Sequence, residues 1–375
     1  MENLGIPKYA TPGEHEFKDG RLEDKWEKTI EAEGSMDVLD AIIGKSLGKE
    51  GFENARVLIY MGDGGQGGTY GTGWAVNLER KDLVKGVDSF VGVSAGATDV
   101  LYLLGGNAKK SPYMWMAAAA QPLMSIPRWL TGRGPLVDIP AIVERAEGKS
   151  DRPGDERFRF DGETAAKAPR GKFFGVATDA ETGEPVYLDM TQTVNPDTGK
   201  IDPIHAAHGS ANVPFADRWA IEVEVDGKKT KVTDGGGAGV GMKKLVETFK
   251  PTHILVIPAK TKNMPAPDPG QKVAEHALLK VFSIPQKIAK LFEGRNERFY
   301  AEMEMMRALS EDPEHGFKYL IAWPKDVVQE FNANPFAVKS ELWKVKNAAR
   351  DSIFACDALL ESRKRAVSQR SAPEL

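Results

Sequence analysis

The sequence predicts an α/β fold with a central, mostly parallel sheet and helices on both faces. Continuous apolar runs at RVLIYM (56–61), VDSFVGV (87–93) and HILVIPA (253–259) are typical of strands buried on both faces. The first two runs each lead through a glycine-containing turn into a helical pattern, and this alternation indicates a parallel sheet. A chain of 375 residues is long enough to bury a large core around such a sheet.

Three further segments predict strands. KFFGVATDAETGEPVYLDM (172–190) reads as two strands joined by a turn. WAIEVEVDGKKTKVTDGG (219–236) alternates apolar and polar residues on both sides of Asp226-Gly227, which is a strong hairpin signal. For the shorter run YLIAWP (319–324) we expect an edge strand.

These patterns divide the chain into three predicted parts. Residues 1–34 are a charged lead-in with one short helix over 22–33. Residues 35–270 hold the α/β domain, in which the helix after the first strand is expected to begin after Gly73. Residues 271–375 are a mainly helical extension packed on that domain.

Composition limits the classes of partner. The 50 basic and 54 acidic side chains give a net charge of −4, so the chain lacks the excess of basic residues that favours binding to nucleic acid. The single cysteine, Cys356, rules out an internal disulfide framework. The first 20 residues lack the pattern of a signal peptide, and prolines interrupt the most apolar stretch, residues 111–130. We therefore expect a cytoplasmic protein, although export by a signal-independent route is compatible with the sequence. The 111–130 stretch reads as a buried helix pair or as an apolar wall for a lipid chain.

A serine follows the second buried run in the pentapeptide Gly92-Val93-Ser94-Ala95-Gly96. A sharp turn from strand to helix would expose the Ser94 hydroxyl at the positive end of the next helix. The same five residues also suit a plain turn that lets a helix pack closely on a sheet. The pentapeptide by itself leaves both interpretations open.

A glycine-rich loop, GDGGQGGTYGTG (62–73), follows the neighbouring strand. Its amide groups can form a cluster of donors beside Ser94, as in an oxyanion hole. Gly62, Gly64 and Gly67 also fit a dinucleotide-binding loop, but that motif needs an acidic residue at the end of the second strand, and Asp88 begins its strand instead. The oxyanion interpretation is therefore preferred.

The order of three motifs resembles the patatin-like phospholipases. A glycine loop after the first strand, Gly-x-Ser-x-Gly after the next and a late Asp-Gly-Gly at VTDGGGAGVG (232–241) match that family, although Asp-Gly alone is a common turn. VATDAETGEPVYLDM (176–190) and HGSANVPFADRW (208–219) also resemble family segments. Together these stretches cover residues 56 to 260.

The resemblance implies a lipid acyl hydrolase that cleaves carboxylic esters of phospholipids or related lipids, of the phospholipase A or lysophospholipase type. Ser94 would be the nucleophile and Asp234 its base, without a histidine, a metal or an organic cofactor. The residues implied around them are the oxyanion-hole glycines Gly64, Gly65 and Gly68, the turn glycines Gly92 and Gly96, and the glycines after the acid, Gly235 and Gly236. The implied partner is a lipid substrate, and peripheral contact with a membrane is compatible with it.

Two departures from the family pattern leave alternatives open. Asp63 stands where the family loop has its first glycine, and Gly67 stands where it has a basic residue. The Asn-x-Pro that commonly follows the family's aspartate is also absent. A catalytically weak protein that binds lipid or a partner is therefore the alternative function.

A Ser-His-Asp esterase is the second alternative, since it would take its histidine from His253, His276 or His315. His205 and His208 lie three residues apart but lack a nearby third ligand for a metal site.

Overall fold

The computed structural model describes residues 26–119, 138–149, 159–214, 219–263, 276–326 and 338–369. Within these ranges the strands are β1 (Ile30–Gly34), β2 (Val57–Met61), β3 (Ser89–Val93), β4 (Phe173–Asp179), β5 (Pro185–Asp189), β6 (Val194–Asn195), β7 (Lys200–Ile201), β8 (Ile221–Val225), β9 (Lys228–Asp234), β10 (His253–Ile257) and β11 (Lys318–Pro324). The helices include α1 (Asp37–Ser46), α2 (Thr69–Arg80), α3 (Ala95–Leu104), α4 (Ser111–Ala119), α5 (Ile139–Ala146), α6 (Gly162–Ala165), α7 (Pro203–Ala211), α8 (Met242–Phe249), α9 (Gln286–Glu293), α10 (Arg295–Glu311) and α11 (Val338–Gln369).

The strands form one mixed sheet in the order β1-β11-β10-β2-β3-β4-β9-β8-β6-β7, with β5 paired to β4. Pairing is parallel from β11 through β10, β2 and β3 to β4, and every other pairing is antiparallel. The α/β fold is confirmed, but the expectation of a mostly parallel sheet holds only for these central strands. The two predicted hairpins, β4-β5 and β8-β9, supply much of the antiparallel part.

Alternating side chains of the central strands enter two cores. Val57, Ile59 and Met61 pack with residues of α1, α2, α3, α7 and α11 on one face of the sheet. Leu58 and Tyr60 pack with residues of α8 and α10 on the other face. Since successive side chains of a strand point to opposite faces, the fully apolar strands place helices on both sides.

Three local predictions are wrong. A short helix is expected over 22–33, but the described part of that range holds a 3₁₀ turn at Trp26–Lys28 and the start of strand β1, whose partner is β11; residues 22–25 lie outside the described part. The run YLIAWP belongs to β11, which lies between β1 and β10 and is not an edge strand. Helix α2 begins at Thr69, four residues before Gly73.

The helical C-terminal segment packs on the sheet helices. Ser352 Oγ of α11 donates to the Tyr70 carbonyl at 2.6 Å, and Asn77 Nδ2 of α2 donates to the Ile353 carbonyl at 2.8 Å. Gly73 lies at this crossing, where a Cβ atom would be 2.1 Å from Ser352 Oγ. Gly73 therefore allows the close approach of α2 and α11. The division into three domains stays a prediction, and both β1 and β11 lie in the same sheet as the 35–270 strands.

Helix α4 accounts for residues 111–119 of the apolar stretch, and residues 120–130 lie outside the described part of the chain. None of the helices in the described ranges has both the length and the apolar character that crossing a bilayer requires.

Candidate active site

Ser94 occupies a sharp turn between β3 and α3. Its backbone has φ 52° and ψ −115°, a region that non-glycine residues rarely adopt. The flanking glycines permit this turn, because a Cβ at Gly92 would lie 2.5 Å from the Ala97 backbone and one at Gly96 would lie 2.2 Å from the Met61 carbonyl oxygen. The pentapeptide is thus a strained strand-to-helix turn with the serine at the N-terminus of α3.

Strand β4 brings Asp234 to this turn. Strand β5 runs along one edge of β4, and β3 and β9 share the other edge. Val93, the last residue of β3, pairs with Val176, and Asp234, the last residue of β9, pairs with Ala177. The two strands therefore end next to each other although 140 residues separate Ser94 from Asp234.

The side chains of Ser94 and Asp234 are in direct contact. Ser94 Oγ donates a hydrogen bond to Asp234 Oδ2 at 2.6 Å, and the backbone N–H of Gly236 donates to Asp234 Oδ1 at 2.8 Å. Asp234 is only 4 % exposed, and burial raises the pKa of its carboxyl to about 7 against the lowering effect of these two hydrogen bonds. A carboxylate with such a pKa can accept a proton near neutral pH.

Two hydroxyl side chains and two backbone carbonyls hold the backbone around the pair through hydrogen bonds. The Ser94 N–H donates to Ser210 Oγ at 2.9 Å, and the Ser210 hydroxyl donates in turn to the Val176 carbonyl. Thr178 Oγ1 donates to the Asp234 carbonyl at 2.7 Å, and the Asp234 N–H donates to the Asn212 carbonyl at 2.9 Å. Sequence reasoning did not single out these residues, although each lies in one of the two lesser family-like segments.

The glycine loop lies against the serine turn. A Cβ at Gly68 would be 2.7 Å from the Cβ of Ala95, the residue after Ser94, and 2.6 Å from the Trp115 ring. Gly64 has φ +156° and packs on Ala259. Residues Gly65–Gly68 form a 3₁₀ turn that continues into α2, so the N-termini of α2 and α3 both lie at this site. Positive helix ends of this kind favour a developing negative charge.

Asp63, which stands where the loop of the patatin-like phospholipases has its first glycine, forms a buried ion pair with Lys260. Lys260 Nζ donates to its two carboxylate oxygens at 2.9 and 3.1 Å, and both side chains are buried. Nothing in the sequence pattern linked Lys260 to the glycine loop, because the two segments become neighbours only through the pairing of β2 with β10.

Helix α10 supports the loop that follows Asp234. Glu302 accepts hydrogen bonds from the N–H groups of Val240 at 3.1 Å and Gly241 at 2.6 Å, and Arg298 donates to the Gly237 carbonyl. Burial raises the pKa of Glu302 to about 7.

An apolar pocket opens at Ser94. Helices α3, α4, α5 and α7 surround it, and its walls are almost entirely hydrocarbon. The lining includes Leu101, Met114, Trp115, Ile142, Val143, Ile204, Ala207 and Val213. Such a pocket favours an apolar group bound next to the serine hydroxyl.

The histidines of the alternative triad lie elsewhere. His253 contacts Thr252 at the start of β10, His276 contacts Glu293, and His315 contacts Asp312. His205 Nε2 lies 2.8 Å from the Glu222 carbonyl oxygen, whereas His208 lines the apolar pocket with Ser94. Within the described residues no group of three or more His, Cys, Asp or Glu side chains is arranged to hold a metal ion.

Comparison with known proteins gives only distant structural likenesses. No protein-family model matches the chain, and no curated protein matches it. The solved structures include VipD from Legionella pneumophila, at 12% identity and a TM-score of 0.35, covering 82% of this chain and 67% of that one. They also include human GIVD cytosolic phospholipase A2, at 9% identity and a TM-score of 0.40, covering 89% of this chain and 65% of that one. The same human enzyme in complex with methyl gamma-linolenyl fluorophosphonate has 11% identity and a TM-score of 0.37, and covers 88% and 62%. This chain thus spans about two thirds of the length of these proteins or slightly less.

Proposed function

We propose that this chain is a lipid acyl hydrolase with a Ser94–Asp234 dyad. The observation that carries the proposal is the 2.6 Å hydrogen bond from Ser94 Oγ to the buried Asp234 carboxylate, made from a strained turn at the mouth of an apolar pocket. A strained backbone around a nucleophile-base pair is costly and is typical of functional sites. The resemblance of the motifs to patatin-like phospholipases, taken from the sequence, agrees with this reading.

In the proposed reaction Ser94 Oγ attacks the ester carbonyl carbon while Asp234 Oδ2 takes the hydroxyl proton. The carbonyl oxygen becomes an oxyanion, which the backbone N–H groups of Gly64 and Gly65 and the N-terminus of α3 stabilise. Asp234 then gives its proton to the departing alkoxide, which leaves as the alcohol, and the acyl group stays on Ser94. Water attacks this acyl-enzyme as Asp234 takes its proton, the Ser94 oxygen leaves and is reprotonated, and a carboxylic acid is released.

The apolar pocket favours esters with a hydrocarbon acyl chain. Leu101, Met114 and Ile142 line it without supplying a charged group, so the acyl chain and not a polar head group fits beside Ser94. Phospholipids and lysophospholipids are the substrate class that we propose.

The test combines a serine-directed fluorophosphonate with a panel of neutral lipids, phospholipids and lysophospholipids. Ser94→Ala should abolish labelling and ester hydrolysis, and Asp234→Asn should lower kcat/KM by about 10³-fold, as expected for loss of a general base. Two variants serve as matched controls. Ser46→Ala removes a buried hydroxyl of α1, at the opposite end of β3, and Asp226→Asn changes the exposed turn of the β8-β9 hairpin. Full activity in Ser94→Ala or Asp234→Asn contradicts the proposal.

The same panel separates the alternatives. A protein that only binds lipid or a partner would not react with the fluorophosphonate at Ser94. A Ser-His esterase would lose its activity when its histidine is replaced, and His208 is the histidine to replace because it lines the pocket with Ser94.

A further inference from the structure

A buried ion pair joins the glycine loop to the segment after β10. Lys260 is 1 % exposed, its Nζ lies 2.9 and 3.1 Å from the two carboxylate oxygens of Asp63, and it also lies over the Phe299 ring at 4.9 Å. Removing two charges from water is costly, and their mutual attraction often fails to repay the cost. A contribution to the stability of the fold is therefore not a sufficient reason for a buried ion pair at this position.

The ion pair joins two segments that lie in close contact, the glycine loop and residues 258–260. Asp63 precedes Gly64, and Lys260 follows Ala259. A Cβ at Gly64 would lie 2.6 Å from the Ala259 Cβ, and one at Gly67 would lie 2.7 Å from the Ala259 carbonyl oxygen. The loop and the 258–260 segment are thus in close contact, and the ion pair crosses that contact.

Asp63 also lies next to Asp234. The position that a Cβ of Gly236 would occupy is 3.0 Å from Asp63 Oδ2 and 2.9 Å from Asp234 Oδ1. Both carboxylates therefore lie beside Gly236. The negative charge of Asp63 adds to the effect of burial in raising the pKa of Asp234.

Other ionisable groups face this cluster from two further elements. Arg295 at the start of α10 lowers the pKa of Asp234, and Glu302, farther along α10, has its own pKa raised by burial and by Asp63. Tyr60 of β2 is buried, and the charge of Asp63 helps to raise its pKa. Lys260 is the cation bonded to Asp63.

We propose that Asp63 and Lys260 are a positioning pair for the active site. Their ion pair holds the glycine loop in place, and the Lys260 cation offsets the negative charge that Asp63 brings beside Asp234. This inference rests on the proposed function, since it assigns a role relative to the Ser94–Asp234 dyad.

The test uses the full-length chain and measures the rate of fluorophosphonate labelling at Ser94 as a function of pH. Lys260→Met leaves the Asp63 charge uncompensated, so the pH midpoint of labelling should rise by about one unit and the rate at pH 6 should fall about tenfold. Asp63→Asn leaves the Lys260 cation uncompensated, so the midpoint should fall. The double variant Asp63→Asn/Lys260→Met removes both charges and should return the midpoint towards that of the wild type.

The double variant also tests the positioning role. It has no buried unpaired charge, so it is the variant best suited to fold if either single variant does not, and thermal unfolding of each protein establishes which are folded. Its maximal labelling rate should be lower than that of the wild type because the loop has lost its anchor. Lys229→Met is the matched control, because it removes the β9 lysine of an exposed ion pair with Glu222 of β8 and should leave the midpoint unchanged.

Each adverse result has a distinct meaning. Equal midpoints in folded Lys260→Met and Asp63→Asn overturn the electrostatic role, and a double variant with the full wild-type rate overturns the positioning role. Either result leaves the proposed function standing if Ser94→Ala still abolishes labelling. A wild-type chain that does not react at Ser94 overturns the proposed function and this inference together.

Discussion

Replacing Asp234 with Asn should stabilise the protein at alkaline pH while it lowers the activity expected of the proposed dyad. Asp234 is buried, and ionising a buried carboxyl is costly. Asn can keep the local geometry, since its oxygen can accept from the Gly236 N–H and its amide can donate to Ser94 Oγ. The variant therefore removes the charge and leaves the packing in place.

The magnitude follows from the pKa of Asp234, which rises from 3.8 to about 7 on folding. Because the folded state holds this proton more tightly than the unfolded state, stability is greatest below the unfolded pKa and is lost as the pH rises through the folded pKa. With about 1.36 kcal/mol for each pKa unit, the wild type should lose about 2.5 kcal/mol of unfolding free energy between pH 5 and pH 8.5 through Asp234. Asp234→Asn should not lose this contribution to the unfolding free energy.

Urea unfolding of both proteins at pH 5 and pH 8.5 measures the difference. Asp99 and Glu302 are also buried carboxyls with pKa values of about 7, but they are present in both proteins and cancel in the comparison. Asp226→Asn in the exposed hairpin turn controls for the substitution itself. Parallel changes of stability with pH in the wild type and in Asp234→Asn would refute the reasoning.

Three other predictions concern the pH profile, the pocket and the packing of α11. The rate of hydrolysis should rise with pH through a midpoint near 7, because Asp234 must be ionised to act as the base. The pH–rate profile of His208→Gln should keep this midpoint. Loss of the midpoint in that variant would favour a histidine base. Ala207→Phe should fill the pocket, so assays across acyl lengths should find long-chain esters cleaved at least about tenfold more slowly and acetyl esters unaffected. Gly73→Ala should lower the free energy of unfolding by about 1–3 kcal/mol in denaturant unfolding, because its methyl group would lie 2.1 Å from an α11 hydroxyl oxygen. The control Gly162→Ala, at a site with open space, should leave the free energy of unfolding unchanged.

The sequence predicted those strands whose pattern is local. Buried runs such as β2 and β10 carry an apolar signal that does not depend on their neighbours, and the β8-β9 hairpin carries its turn in Asp226-Gly227, both of which have positive φ. Strand β1 was missed because IEAEG contains two glutamates and gains its strand conformation from pairing with β11. The place of β11 inside the sheet likewise depends on β1, which no local pattern revealed.

The residues of the candidate site likewise fall into those that a local sequence motif predicts and those that it does not. Ser94 and Asp234 each lie at a turn with a recognisable local motif, so the sequence alone points to both. Lys260 and Glu302 belong to no recognisable motif. Lys260 reaches the site because β10 pairs with β2, and Glu302 reaches it because α10 packs on one face of the sheet. Their roles depend on tertiary contacts between segments that are far apart in sequence.

Helix α10 has a consequence for how the site is assembled during synthesis. Phe299 covers Lys260, while Arg298 and Glu302 hold the loop after Asp234, and these residues share one face of the helix. All of them leave the ribosome after both Ser94 and Asp234. A growing chain therefore contains the proposed nucleophile and base long before it contains the helix that holds their loops. If the proposed function is right, we expect hydrolytic activity to arise late, when α10 has docked.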